Sequence, residues 1–250
     1  DTTWYGRDLR RGPMGREAPL LPDLLRALVD GTEVPWYRLF YMYPSGITRE
    51  TVELLASQDR ILPYLDMPIQ HGSDRVLRLM RRPERQKTIR ERVSWLREAI
   101  PGLTLRTDVI VGFPGETEEE FQTLLDFIAE AKVDRAGCFK YENVEHADSR
   151  DLPGHLPEEV KEERWHRFMA LQAEISAAHA AAQVGRVQPV ILDAPGEEAG
   201  LWIGRTRADA PEIDGVVHLD LGTAENARPG DIVSARITGA DDYDLLGELA

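Results

Sequence analysis

The sequence contains little cysteine and no long hydrophobic run. Cys138 is the only cysteine among the 250 residues, and it lies between Gly137 and Phe139 in a predicted strand, where a small core residue is expected. A single cysteine excludes an internal disulfide framework and is typical of a reducing compartment. No apolar run approaches the roughly 20 residues that span a bilayer. We therefore expect a cytoplasmic protein that does not associate with a membrane.

The sequence also has fewer basic than acidic residues. Lys and Arg number 30 against 44 Asp and Glu, so the formal net charge is −14. A field of this sign repels phosphate backbones and favours basic partners, which makes nucleic acid a disfavoured ligand. The exception is the segment 75–92, which holds eight basic residues. It is either a docking patch for an anionic group or the solvated faces of two helices.

The order of predicted elements is that of an α/β fold. Four segments read as strands and alternate with helical segments: Trp36–Tyr43, Ile61–Ile69, Leu103–Val111 and Arg135–Tyr141. This alternation favours parallel βαβ units. A closed barrel of this type has eight strands, and the chain opens on a loop and a helix, at Asp1 without an initiator Met. We therefore expect a partial, open TIM-like barrel from a longer polypeptide.

The C-terminal region has a different pattern. Residues 158–185 predict one long connecting helix that ends at Gly185. Short alternating segments separated by Pro-Gly and Asp-Gly turns follow, and they predict a small antiparallel, OB-like β-barrel. The expected domains are therefore a partial α/β barrel over 1–157, the helix over 158–185 and the β-barrel over 186–250.

Two strand-then-loop segments, Leu62–Arg75 and Thr104–Thr117, place polar residues at the ends of predicted strands. In parallel α/β sheets, ligands bind beyond the carboxyl ends of the strands. Thr117 and Glu120 also predict a capping box at the start of the helix that follows the second segment. The candidate binding residues in these two segments are Gln70, Ser73, Arg106 and Asp108.

Each candidate also has a purely structural interpretation. Ser73 is either a ligand contact or a plain helix N-cap. Arg106 and Asp108 share one face of a strand, where they either hold a ligand or form an internal salt bridge. His71 either faces the rim or lies in a surface loop. We predict no catalytic residue and no metal ligand within this chain.

The residues of these segments resemble a known family. Residues 64–74 (YLDMPIQHGSD) and 107–117 (TDVIVGFPGET) resemble the methylthiotransferases of the radical S-adenosylmethionine (SAM) superfamily. The opening DTTWYG and residues 208–215 (ADAPEIDG) are similar to the branch that modifies an aspartate of ribosomal protein S twelve. The C-terminal domain of that family is the TRAM module, an OB-like β-barrel. The resemblance therefore implies a radical SAM barrel followed by a TRAM barrel.

The resemblance also implies an activity and its cofactors. Enzymes of this family cleave SAM to a 5′-deoxyadenosyl radical and add a methylthio group to the β-carbon of the aspartate. They carry two 4Fe-4S clusters, one of them on a C-x3-C-x2-C loop, and clusters of this kind need several thiolate ligands. Those ligands are absent from this sequence, so the isolated chain is expected to be inactive. Gln70, Ser73, Arg106 and Asp108 would contact SAM.

There are two alternatives. Charge separates this hypothesis from a tRNA-adenosine methylthiotransferase of the MiaB type, whereas only iron content would separate it from a non-catalytic binding module for a basic protein. Residues 186–250 contain five Arg and no Lys against thirteen Asp and Glu, a net charge of −8. Phosphate contacts dominate nucleic-acid affinity, so we expect this domain not to bind RNA. A basic ribosomal protein would be attracted instead. The oligomeric state stays open.

Overall fold

The computed structural model describes residues 1–7, 9, 20–222 and 226–250. They divide into two compact units, Asp1–Met169 and Ala170–Ala250, and the boundary falls inside the long helix Glu158–Ala181. The domain limits at 157 and 185 remain a prediction. No helix in the described ranges is both long enough and apolar enough to cross a membrane.

The first unit contains a four-stranded sheet in the order β1-β2-β3-β4, and each neighbouring pair is parallel. Its strands are β1 (Tyr37–Leu39), β2 (Ile61–Asp66), β3 (Thr104–Val111) and β4 (Arg135–Lys140). Its helices are α1 (Leu21–Gly31), α2 (Arg49–Ser57), α3 (Asp74–Leu79), α4 (Gln86–Ala99), α5 (Glu118–Ala131) and the start of α6 (Glu158–Ala181). The predicted parallel α/β sheet is confirmed, with four strands rather than a closed barrel.

Side-chain caps fix where the helices behind the strands begin. Thr48, Ser73 and Thr117 each accept a hydrogen bond from a backbone N–H in the first turn of α2, α3 and α5. At α5 the Glu120 carboxylate also accepts from the Thr117 N–H at 3.0 Å, which completes the predicted capping box. The loops that lead from β2 and β3 into helices are therefore anchored at their helical ends.

The two faces of β3 differ in burial. Leu105, Thr107, Val109 and Val111 are buried on one face, and Arg106, Asp108 and Ile110 are half-buried on the other. The parallel register continues these faces into the neighbouring strands, so Asp66 of β2 pairs with Arg106 and Gly137 of β4 pairs with Asp108. One face of the sheet is thus apolar, and the other carries charge.

The second unit contains a closed barrel in the order β5-β6-β7-β9-β8. Its strands are β5 (Val187–Pro195), β6 (Leu201–Thr206), β7 (Val217–Asp220), β8 (Ile232–Ala240) and β9 (Leu245–Leu249). The predicted small β-barrel is confirmed, but it is not wholly antiparallel, since β7 and β9 run parallel. The β8–β9 hairpin inserts β9 between β7 and β8 and so closes the barrel. Its core is aliphatic and includes Val190, Leu192, Val217, Leu219 and Ile237.

Candidate functional site

Two loops follow β2 and β3 at the carboxyl end of the sheet: the first rim loop (residues 67–73) and the second rim loop (residues 112–117). The first is tied to β3 at Gln70, whose N–H donates to the Asp108 carbonyl and whose carbonyl accepts from the Ile110 N–H, at 3.0 and 2.9 Å. Gln70 has φ +69°, a left-handed conformation that costs a non-glycine residue on the order of 1 kcal/mol or more. The surrounding loop must therefore hold it in place.

A cavity of about 310 Å³ opens beside Gln70. Ile110 and Phe113 line it together with Gln70, and the other lining residues are Leu79, Met80, Arg81, Arg82, Asp148, Ser149 and Leu152. Apolar and polar side chains share the walls about equally, and Gln70 contributes an amide that can both donate and accept hydrogen bonds. This combination suits a flat heterocyclic ligand with polar edges.

Arg106 and Asp108 meet on the charged face of the sheet, together with Asp66. The Arg106 Nη1 donates to Asp66 Oδ1 at 2.7 Å and to Asp108 Oδ2 at 2.8 Å, and its Nη2 donates to Asp108 Oδ1 at 2.9 Å. Burial opposes the charged guanidinium, but the hydrogen bonds to Asp108 and Asp66 outweigh it and raise the pKa of Arg106. The internal salt bridge is therefore present, with a second carboxylate that the sequence analysis missed.

Gly137 makes room for this ion cluster. A Cβ built on Gly137 would lie 2.5 Å from Asp108 Oδ1 and 3.7 Å from Arg106 Nη2. The Asp108 carboxylate therefore occupies the space that a side chain on β4 would fill. A side chain at this position would require the Asp108 carboxylate to shift.

Replacing Gly137 with alanine should destabilise the chain by about 1–3 kcal/mol, because the Asp108 carboxylate must move away from Arg106. The measurement is the free energy of unfolding in urea. Gly31→Ala is the matched control, since a Cβ at Gly31 meets nothing within 4 Å. Equal stabilities of the two variants would contradict this account of Gly137.

Ser73 lies apart from the cavity and from the Arg106 cluster. Its hydroxyl caps α3 by accepting from the Arg75 and Val76 N–H groups, and it donates to Glu120 Oε1 at 2.8 Å. Ser73 is therefore the N-cap of α3 in the structure. Arg75 completes a bridge between α3 and α5, since it pairs with Glu120 and donates to the Gly115 carbonyl.

The Ser73–Glu120–Arg75 bridge predicts a dependence of stability on pH. Partial burial opposes ionisation of Glu120, but hydrogen bonds from Arg75, the Thr117 N–H and Ser73 outweigh it and lower its pKa to about 2. Because the folded pKa lies below the unfolded value of about 4.3, Glu120 stabilises the fold above that value. This contribution is lost as pH falls from about 4.3 toward 2. In urea titrations, the stability gap between wild type and Glu120→Gln should shrink over this range; a constant gap would contradict the assignment.

His71 was expected at the rim or on the surface, and both expectations are wrong. Its side chain is fully buried, as is that of Glu116. The Ser73 N–H donates to His71 Nδ1 at 2.9 Å, and His71 Nε2 lies 3.5 Å from Glu116 Oε2. Glu116 also pairs with Arg164 of α6 at 2.7 Å. No local pattern signals this cluster, because its members come from two loops and a distant helix.

Several arginines of the basic segment 75–92 pair with acidic side chains. Arg81 pairs with Asp148, Arg90 with Glu130, and Arg92 with Glu91. The guanidinium of Arg92 also lies 3.9 Å from the ring centroid of Trp95. These pairs neutralise much of the segment, which favours the interpretation as helix surfaces.

Two family models match the chain in order. The Radical SAM superfamily matches residues 14–128, and the TRAM domain matches residues 184–250. The ribosomal protein uS12 methylthiotransferase RimO of Cronobacter sakazakii is 48% identical over 251 residues, which cover 100% of this chain and 56% of the relative. That of Salmonella heidelberg is 54% identical over 249 residues, covering 99% and 55%.

The chain is similar to the radical SAM methylthiotransferases over nearly its whole length. It spans about half the length of the curated relatives that it matches. Among solved structures, the radical SAM enzyme coproporphyrinogen III oxidase (HemN) of Escherichia coli is similar, with a TM-score of 0.50 and 22% identity. The similarity covers 62% of this chain and 36% of HemN, and it supports the fold alone.

The residues of this chain do not fit an iron–sulfur cluster. Such clusters are held by several Cys thiolates, and Cys138 is the single cysteine. Burial and then the nearby Glu116 charge raise the pKa of Cys138 to about 12, so it is a neutral thiol. Within the described residues, no group of three or more His, Cys, Asp and Glu side chains is arranged to hold a metal ion.

Proposed function

We propose that this chain is the SAM-binding and substrate-docking part of an enzyme that adds a methylthio group to an aspartate of ribosomal protein uS12. The observation that carries the proposal is the 48–54% identity to uS12 methylthiotransferases over 99–100% of the chain. The family matches to the Radical SAM and TRAM models support it independently. The cysteine ligands of two 4Fe-4S clusters would belong to residues outside this chain.

The cavity beside Gln70 is the proposed place of the adenosyl group of SAM. Its apolar walls at Ile110 and Phe113 suit the faces of adenine, and the Gln70 amide suits the polar edge of adenine or ribose. When bound, SAM supplies the radical chemistry and the methyl group of the reaction. The residues of this chain bind and orient it, and they shield it from water.

The cluster of Asp66, Arg106 and Asp108 is the proposed place of the methionyl group of SAM. A guanidinium has five N–H donors, of which three are used on Asp66 and Asp108. No acceptor in the described part of the chain takes the other two, so they are available to a ligand carboxylate. The carboxylates of Asp66 and Asp108 are the groups proposed to face the ligand ammonium. Ser73 supports the loop rather than contacting SAM.

The charge of the second unit supports a protein substrate. Residues 186–250 have a net charge of −8, and Asp242 and Glu248 of the β8–β9 hairpin are exposed. A surface of this sign attracts a basic ribosomal protein and opposes a tRNA. We therefore keep the protein substrate as the main hypothesis and tRNA as the alternative that the test must exclude.

Measuring iron content tests whether the cluster ligands lie outside this chain, in the rest of the polypeptide. The natural polypeptide that contains these residues should bind iron and sulfide and modify uS12, whereas the chain 1–250 alone should do neither. A natural polypeptide without iron and without activity would contradict the proposal. It would favour the non-catalytic binding module for a basic protein.

A further inference from the structure

The cluster of His71, Glu116 and Arg164 has no role in the function proposed so far. The side chains of His71 and Glu116 have no exposed surface, and that of Arg164 is 5% exposed. A buried carboxylate is costly unless it is paired and hydrogen-bonded. A cluster that is buried at this cost and joins the two rim loops needs an explanation.

Glu116 connects three elements through its two carboxylate oxygens. Its Oε1 accepts from Arg164 Nη1 at 2.7 Å, and Arg164 also donates to the Glu116 carbonyl at 3.3 Å. Its Oε2 accepts from the Phe113 N–H at 3.1 Å and lies 3.5 Å from His71 Nε2. One carboxylate therefore joins the first rim loop, the second rim loop and α6.

The hydrogen bonds of His71 assign its tautomer. Because His71 Nδ1 accepts the Ser73 N–H, the proton of the neutral ring lies on Nε2, the nitrogen that faces Glu116. The ring thus stands between the backbone of the first rim loop and the carboxylate of the second. Rotation of the ring would break the contact with the Ser73 N–H.

Two of the residues that line the cavity are held by this arrangement. Phe113 is held directly by its N–H, and Gln70 is held through His71, its neighbour in the chain. Gln70 has a left-handed backbone, and such strain persists only where the surroundings fix it. Gly72, the residue after His71, packs against the backbone of α5, since a Cβ there would lie 2.4 Å from Leu124 Cα.

We propose that Glu116 is a positioning residue: with His71 and Arg164 it holds Gln70 and Phe113 in the geometry that receives the adenosyl group. This proposal rests on the proposed function, since it assumes that the cavity binds SAM. Glu116 touches no ligand itself and acts through the two loops. The separate Ser73–Glu120–Arg75 bridge holds the outer side of the same loops, so loss of Glu116 should disturb their geometry without unfolding them.

The test is a double-mutant cycle in the full-length natural protein, with S-adenosylhomocysteine as an unreactive probe in calorimetry. Glu116→Gln and Gln70→Ala should each weaken affinity on the order of tenfold. The double variant should lose far less than the product of the two losses, because Glu116 acts through Gln70. The proposal would be overturned if the affinity losses of the two single variants multiply in the double variant. It would also be overturned if Glu116→Gln leaves the affinity unchanged.

Further variants separate positioning from general stability. Arg164→Lys keeps a cation beside Glu116 and should retain most of the affinity, whereas Arg164→Met should lose it. Ile89→Val, in the buried face of α4, should lower the urea concentration at which the protein unfolds without changing affinity. If Glu116→Gln does not fold, His71→Asn takes its place in the cycle, because it keeps an acceptor for the Ser73 N–H but loses the contact with Glu116. A wild-type protein that does not bind the probe would overturn the proposed SAM site, and this proposal with it.

Discussion

Replacing Arg106 with methionine should lower the free energy of unfolding by about 3–5 kcal/mol and abolish measurable binding of SAM. The guanidinium is 12% exposed and is the shared partner of Asp66 and Asp108, whose carboxylates are 2% and 21% exposed. Without Arg106, two like charges remain on a half-buried sheet face. Urea denaturation and calorimetry with S-adenosylhomocysteine measure the two effects.

A compensated variant separates the structural effect of Arg106 from its role in binding. Arg106→Met combined with Asp66→Asn and Asp108→Asn removes the unpaired charges and should recover most of the stability. The affinity should stay lost, because no group remains to pair with the ligand carboxylate. Recovery of affinity in this variant would show that Arg106 only supports the fold.

Reversing the charge of Asp242 and Glu248 to lysine should slow the association of uS12 on the order of tenfold at low salt. Both side chains are exposed on the β8–β9 hairpin, so the substitutions change the field of the barrel without disturbing its core. The association rate constant, measured by stopped flow with the full-length protein, should become insensitive to the substitutions at high salt, where charges are screened.

The control for this experiment makes the same change of charge in the first unit. Glu33→Lys with Glu53→Lys alters two exposed acids outside the barrel and should have a smaller effect on association. Equal slowing by the two pairs would mean that only the net charge matters. That result would contradict a docking role for the barrel.

Local patterns in the sequence predict much of this fold. The capping box of Thr117 and Glu120 depends on residues three positions apart, and it is present as predicted. The alternation of β3 likewise places Arg106 and Asp108 on one face, as predicted. Both features arise from interactions within one element, which is why a single sequence contains enough information to identify them.

Contacts between distant segments are not accessible in the same way. Asp66 joins Arg106 only because β2 and β3 pair in one register. His71 is buried because Glu116 and Gly72 bring the second rim loop and α5 against it. The parallel pairing of β7 with β9 depends on barrel closure. A residue pattern does not specify which segments become neighbours, so the candidates Gln70, Arg106 and Asp108 and the Arg106–Asp108 pair could be proposed, but not their contacts with other segments.

The most direct test of the central claim is a transfer assay with the reconstituted full-length protein, SAM, a sulfur source and a reductant. Isolated uS12 and total tRNA serve as competing substrates, and mass spectrometry measures methylthio addition to each. We expect uS12 to gain one methylthio group in place of a hydrogen on an aspartate, and tRNA to stay unchanged. A methylthio group on tRNA adenosine, with uS12 unmodified, would contradict the account.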